Sequence, residues 1–144
     1  MEAVAESDSI VLTNRTAEIN RAADWLRDKG RRLAIADEVA FAMRLCIEEA
    51  LANVVVHAHA GLDRAPEPRD ILVRFEKRGE VVAVAIEDDG RPFDPLSQSP
   101  LPRSGFLDEA SIGGRGILLM KEYASRVAYD RRDGRNVLVM EFDL

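Results

Sequence analysis

The fold of this chain is decided by the stretch Val81-Val82-Ala83-Val84-Ala85-Ile86-Glu87-Asp88-Asp89-Gly90. Its first six residues are apolar, and a strand that is apolar at every position is typical of the buried centre of a sheet. The aspartate and glycine that follow favour a tight turn, which ends the strand. We therefore predict a central strand, buried on both faces, that carries Asp88 at its end.

Further strands lie on both sides of this stretch along the chain. Short runs of alternating or continuous apolar residues, bounded by turn residues, predict strands. The predicted strands are Ser9–Leu12, Ile71–Lys77, Val81–Glu87, Val127–Arg131 and Asn136–Phe142. A turn at Arg78-Gly79-Glu80 joins the second and third of them, and Asp133-Gly134 joins the last two as a hairpin.

Three helices are predicted from apolar residues at helical spacing. They are Thr16–Arg32, with Thr16 as its N-cap, the longest helix Asp37–His59, and Gly116–Ser125. Each must bury its apolar stripe against a sheet. The order β-α-α-β-β-loop-α-β-β therefore predicts the α+β class, as a two-layer α/β sandwich with a mostly antiparallel sheet and helices on one face.

Composition limits the possible functions. The 144 residues are 47% hydrophobic and 32% charged, with a net charge of -6, which is ordinary for a globular core but argues against a general binder of nucleic acids or membrane surfaces. The single cysteine, Cys46, allows no disulfide framework, and it lies in an apolar run, which is typical of a small buried residue. The chain contains neither a signal peptide nor an apolar segment of about 18 residues. We expect one cytoplasmic domain spanning residues 1–144.

The longest helix carries two polar stripes. At 100° per residue, Asp37, Arg44 and Glu48 share one side, where Arg44 and Glu48 can pair in solvent. The second stripe lies on roughly the opposite side and consists of Glu49, Asn53 and His57. Because the first stripe already supplies a solvent face, the second is predicted to face a cavity, a polar partner or another subunit. The alternative is a helix exposed along two edges.

Chemistry at the second stripe follows from its residue types. Burying an unpaired carboxylate costs several kcal/mol, so Glu49 needs a functional reason to be there. An asparagine carbonyl is a hard oxygen ligand of the kind that magnesium takes together with phosphates and water. With Asn53 as the metal ligand, Glu49 is free to act as a general base.

Two glycine-containing segments offer further contacts to a ligand. Asp88, at the end of the central strand, can accept a hydrogen bond from an exocyclic amino group such as that of adenine, and Gly90 permits a left-handed backbone and close approach. The alternative is an ordinary Asp-Gly turn. Gly113-Gly114-Arg115-Gly116 opens the last helix, where free N–H groups favour a phosphate, although it could equally be a hinge that closes a loop.

These glycines fit neither of two common nucleotide motifs. No Gly-Lys-Ser/Thr follows them, as a Walker A loop requires, and their spacing is a poor match to a Rossmann fingerprint. The segment Pro92–Ile112 before them is rich in proline, serine and glycine. Loops of this length are often lids, and we expect this one to be mobile without nucleotide.

Taken together, the three segments resemble the ATP-binding domain shared by gyrase B, Hsp90, histidine kinases and MutL, the GHKL or Bergerat fold. The matching stretches are Ile47–His57 for the N box, Asp88–Pro95 for the G1 box and Ile112–Met120 for the G2 box. More narrowly, the chain resembles the anti-sigma-factor serine kinases typified by SpoIIAB and RsbW. The resemblance runs from about Ser9 to the C-terminus.

The resemblance implies a role for individual residues. Glu49 matches the glutamate that activates the attacking hydroxyl, Asn53 the magnesium ligand and Asp88 the adenine-reading aspartate. The remaining residues that it implicates in cofactor binding are His57, Gly90, Gly114, Arg115 and Gly116. Arg21 in the first helix matches an arginine that contacts partner proteins.

The chain departs from the family pattern at three places. The N box ends in His57-Ala58 instead of His-Gly. Ile112 and Gly113 stand where some members have an arginine, which leaves Arg103 or Arg115 to meet the γ-phosphate. A hydroxyl residue common in the final strand is replaced by Leu138. These departures bear more on kinase activity than on nucleotide binding.

The resulting hypothesis is an anti-sigma factor with protein-serine kinase activity that uses ATP and Mg²⁺ to phosphorylate a small STAS-type antagonist, without contacting nucleic acid or membrane directly. The resemblance also implies a homodimer. Two alternatives stay open: a non-catalytic ATP-binding regulator that sequesters a protein partner, and a catalytic fragment of a larger phosphatase-coupled regulator. The only histidines are His57 and His59, so we do not expect a histidine kinase.

Overall fold

A computed structural model describes residues 6–58, 69–97 and 114–144 of the chain. Its strands and helices follow the predicted order. The elements are β1 (Glu6–Thr13), α1 (Glu18–Arg32), α2 (Asp37–Asn53), a π-helical turn (Val54–Ala58), β2 (Asp70–Arg78), β3 (Val81–Asp88), a 3₁₀ turn (Pro95–Ser97), α3 (Gly114–Tyr123), β4 (Arg126–Arg132) and β5 (Arg135–Asp143).

The five strands form one antiparallel sheet in the order β1-β2-β3-β5-β4. The predicted central position of β3 is confirmed. The β4–β5 hairpin turns through Asp133 (φ 51°) and Gly134 (φ 75°), and two left-handed residues in succession are what a tight two-residue hairpin loop requires. The β4–β5 hairpin therefore follows from turn chemistry and strand patterning that are local in the sequence.

The hydrophobic core lies between the sheet and one layer of helices. Val82, Val84 and Ile86 of β3 are at most 2% exposed and belong to a cluster that includes buried residues of α1, α2 and α3. The alternate residues Val81 and Ala83 are only half-buried. The prediction that β3 is buried on both faces is therefore wrong, because in the described part of the chain the helices cover a single face of the sheet.

The longest helix ends earlier than predicted. α2 runs from Asp37 to Asn53 and continues as a π-helical turn to Ala58, whereas the predicted end, His59, lies outside the described residues. Val54, Val55 and Val56 follow Asn53 directly, and successive β-branched side chains crowd the preceding turn of an α-helix. The wider π turn begins where this run begins.

The predicted N-cap of α1 is also wrong. The helix begins at Glu18 with Ala17 as its N-cap and no side-chain cap, and the hydroxyl of Thr16 takes no part in capping. The Glu18 carboxylate accepts a hydrogen bond from the backbone N–H of Thr13 at 3.1 Å, which ties the first turn of the helix to the end of β1. A carboxylate in this turn also suits the helix dipole.

Cys46 behaves as the sequence predicts. It is fully buried in α2, and this burial, together with the nearby Glu49 carboxylate, raises the pKa of its thiol to about 12. A thiol of that kind stays protonated and unreactive at neutral pH. None of the helices in the described ranges is long and apolar enough to cross a membrane.

Candidate functional site

A narrow pocket lies between the end of α2, the central strands and the turn after β3. Two residues singled out from the sequence, Asn53 and Asp88, meet there. The complete lining is Ala50, Asn53, Val54, Ile86, Asp88, Phe93, Pro95, Tyr129, Asn136 and Leu138. Most of these side chains are apolar and a few are polar, as is typical of a site for a small ligand.

The amide of Asn53 is buried without a partner. The residue is 5% exposed, and its Nδ2 atom has no hydrogen-bond partner among the described residues. Leaving a buried polar group unsatisfied costs about 1–3 kcal/mol. A buried NH₂ donor of this kind is suited to an acceptor atom of a ligand that enters the pocket. The carbonyl oxygen of the same side chain has the chemistry of the predicted magnesium ligand.

Asp88 is the most deeply buried charged residue of the pocket, at 1% exposure. It lies at the end of β3, as predicted. Its Oδ1 atom accepts hydrogen bonds from the backbone N–H of Gly90 at 3.2 Å and from Nδ2 of Asn136 at 2.9 Å. These donors hold the carboxylate in a fixed orientation against the pocket.

Asn136 is a site residue that the sequence analysis did not single out. It is 5% exposed and pairs with Asp88 in the register of β3 and β5. The family's hydroxyl position was assigned to Leu138, which lies opposite Ile86 and forms an apolar wall of the pocket. A polar residue at a core-facing strand position is the signal that could have identified Asn136.

The turn after β3 is held in place by the same strands. Arg131 of β4 donates to the carbonyl oxygen of Gly90 at 2.8 Å. Among the described glycines, left-handed φ angles occur at Gly79 and Gly134 and not at Gly90, so the left-handed backbone that a glycine permits is not adopted here. Both backbone groups of Gly90 are instead engaged, one by Asp88 and the other by Arg131.

The pocket is closed in this conformation. Its free volume is 20 Å³, which is about the space of one water molecule. A nucleobase can therefore enter only when the walls move apart. The aromatic rings of Phe93 and Tyr129 and the side chains of Ile86 and Leu138 would then face the base.

Glu49 lies one helical turn before Asn53 on α2. It is half-buried, so the prediction of a buried carboxylate is wrong and part of the side chain keeps contact with solvent. The first polar stripe is confirmed, since Arg44 and Glu48 form an exposed pair with an N–O distance of 3.9 Å. The second stripe is therefore more buried than the first at Asn53, as predicted, whereas Glu49 is only half-buried.

The glycine-rich segment enters a helix as predicted, two residues earlier than expected. Gly114, Arg115 and Gly116 form the first turn of α3. The opposite end of α3 lies beside the start of α2, because the rings of Phe41 and Tyr123 pack edge to face with centroids 6.2 Å apart. The free N–H groups of the first turn therefore lie at the end of α3 that is remote from Phe41.

Several predicted features lie outside the described residues. They are the side chains of His57 and Arg115, the residues Arg103 and Ile112–Gly113, and most of the predicted lid, of which only 92–97 are described.

Arg21, the predicted partner contact, lies on the exposed side of α1. Its side chain is 54% exposed, and its Nη1 atom donates to the carbonyl oxygen of Val11 at 3.2 Å and pairs with Glu18 at 3.3 Å. These contacts hold the guanidinium beside the edge strand β1. It does not line the pocket that contains Asn53 and Asp88.

A wider cleft of the described surface lies elsewhere. It has a volume of 610 Å³ and lies between the end of α1 and the start of α2, lined in part by Arg27, Arg31 and Arg44. From Ala40 in this cleft to Asn53 is about 20 Å along α2. We assign the candidate site by its chemistry rather than by its size, since the unpartnered amide and the buried carboxylate lie in the narrow pocket. Within the described ranges, no three His, Cys, Asp or Glu residues are grouped to hold a metal ion.

Comparison with known proteins agrees with this geometry. The family profile of the histidine kinase-like ATPase domain matches residues 12–142. Serine/threonine-protein kinase BtrW of Bordetella bronchiseptica is 29% identical over 136 residues, which cover 94% of this chain and 93% of BtrW. Serine-protein kinase RsbW of Bacillus subtilis is 30% identical over 105 residues, which cover 69% of this chain and 62% of that RsbW. RsbW of Bacillus pumilus is 26% identical over 104 residues, which cover 69% of this chain and 63% of that RsbW.

These matches bear on both the fold and the activity. The predicted α+β fold is confirmed by the five-stranded antiparallel sheet and by the family. The prediction of an ATP-dependent protein serine/threonine kinase is supported by the family and by the names of the relatives. The chain spans less than two thirds of the length of the RsbW proteins. Since the profile covers nearly all of its residues, the chain belongs to the family of histidine kinase-like ATPase domains.

Proposed function

We propose that this chain is a protein-serine kinase that uses ATP to phosphorylate a small STAS-type antagonist and, in alternation, sequesters a sigma factor. The observation that carries the proposal is the pocket in which the unpartnered amide of Asn53 lies near the buried carboxylate of Asp88. The amide nitrogen fits a phosphate oxygen, and the carbonyl oxygen of the same side chain has the chemistry of a magnesium ligand. The carboxylate fits an amino-bearing base. The names of the relatives support the transfer to serine.

The nucleotide would be held by three parts of the site. Asp88 would accept a hydrogen bond from the exocyclic amino group of adenine, whose faces would lie against the apolar walls. The first turn of α3, with Gly114, Arg115 and Gly116, would offer N–H groups to the phosphates. Asn53 would hold Mg²⁺, which supplies positive charge that offsets the charge of the phosphates.

The transfer would need a proton acceptor. In the proposed step, the serine hydroxyl oxygen of the antagonist forms a bond to the γ-phosphorus. The bond from that phosphorus to the β,γ-bridging oxygen breaks, and ADP leaves. Glu49 accepts the hydroxyl proton. A half-buried carboxylate suits this task, since it can approach the substrate and later release the proton to water.

A test separates binding from chemistry by comparing three variants of α2. Glu49→Gln keeps the shape of the side chain and removes the base. We expect it to leave the ATP dissociation constant within about tenfold of wild type while it reduces phosphate transfer by about 10²–10⁴-fold. Asn53→Ala should lose tight, magnesium-dependent ATP binding. Glu48→Gln is the matched control, because Glu48 pairs with Arg44 on the other stripe, and it should behave as wild type.

ATP affinity is measured by calorimetry with and without Mg²⁺, and transfer by radiolabelled ATP with a co-purified STAS-domain protein. Wild-type transfer by Glu49→Gln would show that the assigned base is wrong. If wild type binds ATP but transfers no phosphate, the non-catalytic regulator becomes the better description. If wild type binds no ATP, the whole proposal fails.

We further propose that residues 1–144 form one domain and that the protein works in the cytoplasm as a homodimer. The length of 144 residues, which is typical of one domain, supports the first point. The other two follow from the resemblance to anti-sigma-factor kinases. Arg21 would contact a partner protein from the exposed side of α1.

A further inference from the structure

We propose that Asn136 positions the Asp88 carboxylate as a hydrogen-bond acceptor and thereby sets the preference of the pocket for adenine over guanine. The inference deepens the proposed function and rests on it, because it takes Asp88 to be the group that meets the base.

The amide nitrogen of Asn136 is fully used by acceptors. Nδ2 lies 2.9 Å from Oδ1 and 3.2 Å from Oδ2 of Asp88, and 2.9 Å from the carbonyl oxygen of Arg91. One buried amide thus connects β5 to the end of β3 and to the turn that follows. A carboxylate and a carbonyl can only accept hydrogen bonds, so the nitrogen must face them.

The amide oxygen of Asn136 is engaged by donors. It accepts from the backbone N–H of Phe93 at 3.2 Å and from the hydroxyl of Tyr129 on β4. A backbone N–H can only donate, so the oxygen must face it. The two ends of the amide cannot exchange without breaking contacts at both, and its orientation is therefore fixed by chemistry.

Tyr129 supports this orientation from the neighbouring strand. Burial raises the pKa of Tyr129, so its hydroxyl keeps the proton that it donates to Asn136. The result is a relay across three strands, from Tyr129 on β4 through Asn136 on β5 to Asp88 on β3. The charged groups that act on Tyr129 are Arg131 of β4, Asp94 of the turn and Asp88 itself. The turn also contributes the carbonyl oxygen of Arg91, and α2 contributes the uncharged Asn53 to the pocket.

Selectivity follows from what the two bases present. Adenine offers a donor at its exocyclic N6, whereas guanine offers an acceptor at O6. An ionised carboxylate attracts the first and repels the second. A carboxylate that rotates away from the base no longer opposes O6, so guanine is then rejected less strongly. Because Nδ2 of Asn136 donates to both oxygens of Asp88, it holds the carboxylate in the orientation that presents an acceptor to the base, and an acceptor rejects guanine.

The principal test compares Asn136→Thr with Asn136→Val. The two side chains have nearly the same shape and both suit a strand, but only threonine can donate to Asp88. Dissociation constants for ATP and GTP are measured by calorimetry. The readout is the dissociation constant for GTP divided by that for ATP, called the GTP-to-ATP ratio, because the contribution of the shared phosphates cancels in it. We expect the ratio in Asn136→Thr to stay within about tenfold of wild type and that in Asn136→Val to fall about 10- to 100-fold.

A second variant adds a pH profile. Asn136→Asp places another carboxylate against Asp88, and two adjacent carboxylates tend to share one proton. We expect the GTP-to-ATP ratio of this variant to change between about pH 5.5 and pH 8.5, and to change more than the ratio of wild type does. A purely structural role of Asn136 would not produce this dependence.

Asn14→Asp is the matched control, because it makes the same change at another buried asparagine. Asn14 is 2% exposed and its Oδ1 accepts from the backbone N–H of Arg69, outside the pocket. Its ratio should match that of wild type at every pH. Circular dichroism establishes which variants are folded. If Asn136→Asp does not fold, the comparison of Asn136→Thr with Asn136→Val decides whether Asn136 sets the base preference.

Each outcome is decisive for one of the two proposals. Equal ratios in folded Asn136→Thr and Asn136→Val would overturn the role of Asn136 while leaving ATP binding by the wild type intact. The role of Asn136 would also be overturned if two variants both kept the wild-type GTP-to-ATP ratio across the pH range. These are Asn136→Asp and Tyr129→Phe, which removes the hydroxyl that donates to Asn136. Failure of the wild type to bind ATP would refute the proposed function itself.

Discussion

Replacing Asp88 with asparagine tests the centre of the candidate site with a change of one atom. Asp88 is 1% exposed, and its Oδ1 atom accepts from Gly90 and Asn136. In Asp88→Asn, the amide carbonyl can take the place of Oδ1. The amide NH₂ then occupies the position of Oδ2, which lies 3.2 Å from Nδ2 of Asn136, so that two donors face each other.

The expected magnitudes follow from this geometry. Two opposed donors in a buried site leave polar groups unsatisfied, which costs about 1–3 kcal/mol in the free energy of unfolding. An amide NH₂ also cannot accept a hydrogen bond from adenine. We expect ATP binding to weaken by about 1–3 kcal/mol, or roughly 5- to 150-fold.

Urea unfolding gives the stability change, and calorimetry gives the ATP affinity of the folded protein. Asp89→Asn is the matched control at the next position, because Asp89 is exposed and pairs with Arg69 at 3.4 Å. Surface pairs of this kind contribute about 0–1 kcal/mol. Unchanged ATP affinity in folded Asp88→Asn would refute the adenine-reading role.

Two further predictions concern stability away from the pocket. Ala34 has a left-handed backbone (φ 54°) just after α1, and this conformation costs a non-glycine residue about 1–2 kcal/mol. Ala34→Gly should therefore raise the free energy of unfolding by about 0.5–1 kcal/mol, once the greater chain entropy of glycine is subtracted. A loss of stability in this variant would contradict the prediction. Asp8 pairs with buried Lys29, whose hydrogen bond lowers the pKa of Asp8 below its ordinary 3.8. The pair therefore stabilises the fold at neutral pH and loses this effect as pH falls through the lowered pKa. The deficit of Asp8→Asn in urea unfolding should be present at pH 7 and shrink as pH falls below 3.8 and through the lowered pKa. A deficit that does not change over this range would show that the ion pair is not its cause.

The sequence predicts those parts of the fold that are encoded locally. The apolar run Val81–Ile86 and the turn at Asp133-Gly134 specify a strand and a hairpin through the chemistry of neighbouring residues. The polar stripe on α2 identifies Asn53 because helical spacing alone brings it to the face of the pocket. The errors arise where a distant element decides the outcome. Whether β3 is covered on one face or on both depends on where the helices pack, which the run itself does not encode.

The end of α2 shows how a local preference can override periodicity. The apolar pattern continues through Val54, Val55 and Val56, and by itself it predicts a helix as far as His59. The same valines are β-branched, however, and they disfavour the continued α-helical turn. The resulting π-helical turn has a longer repeat than an α-helix. The spacing that aligns Glu49 with Asn53 therefore does not extend unchanged to His57.

Asn136 could be found only once the strand register was known. The side chains of β5 that face the helices are Asn136, Leu138, Met140 and Phe142, and Asn136 alone among them is polar. That pattern marks it as unusual, but it does not say what it meets. A register shift of one residue would place Arg135 or Val137 opposite Asp88 and would leave the carboxylate facing a long cation or a branched apolar side chain. The pairing of two short polar side chains across β3 and β5 is therefore a property of the assembled sheet, and it is this pairing that gives Asp88 a fixed direction in the pocket.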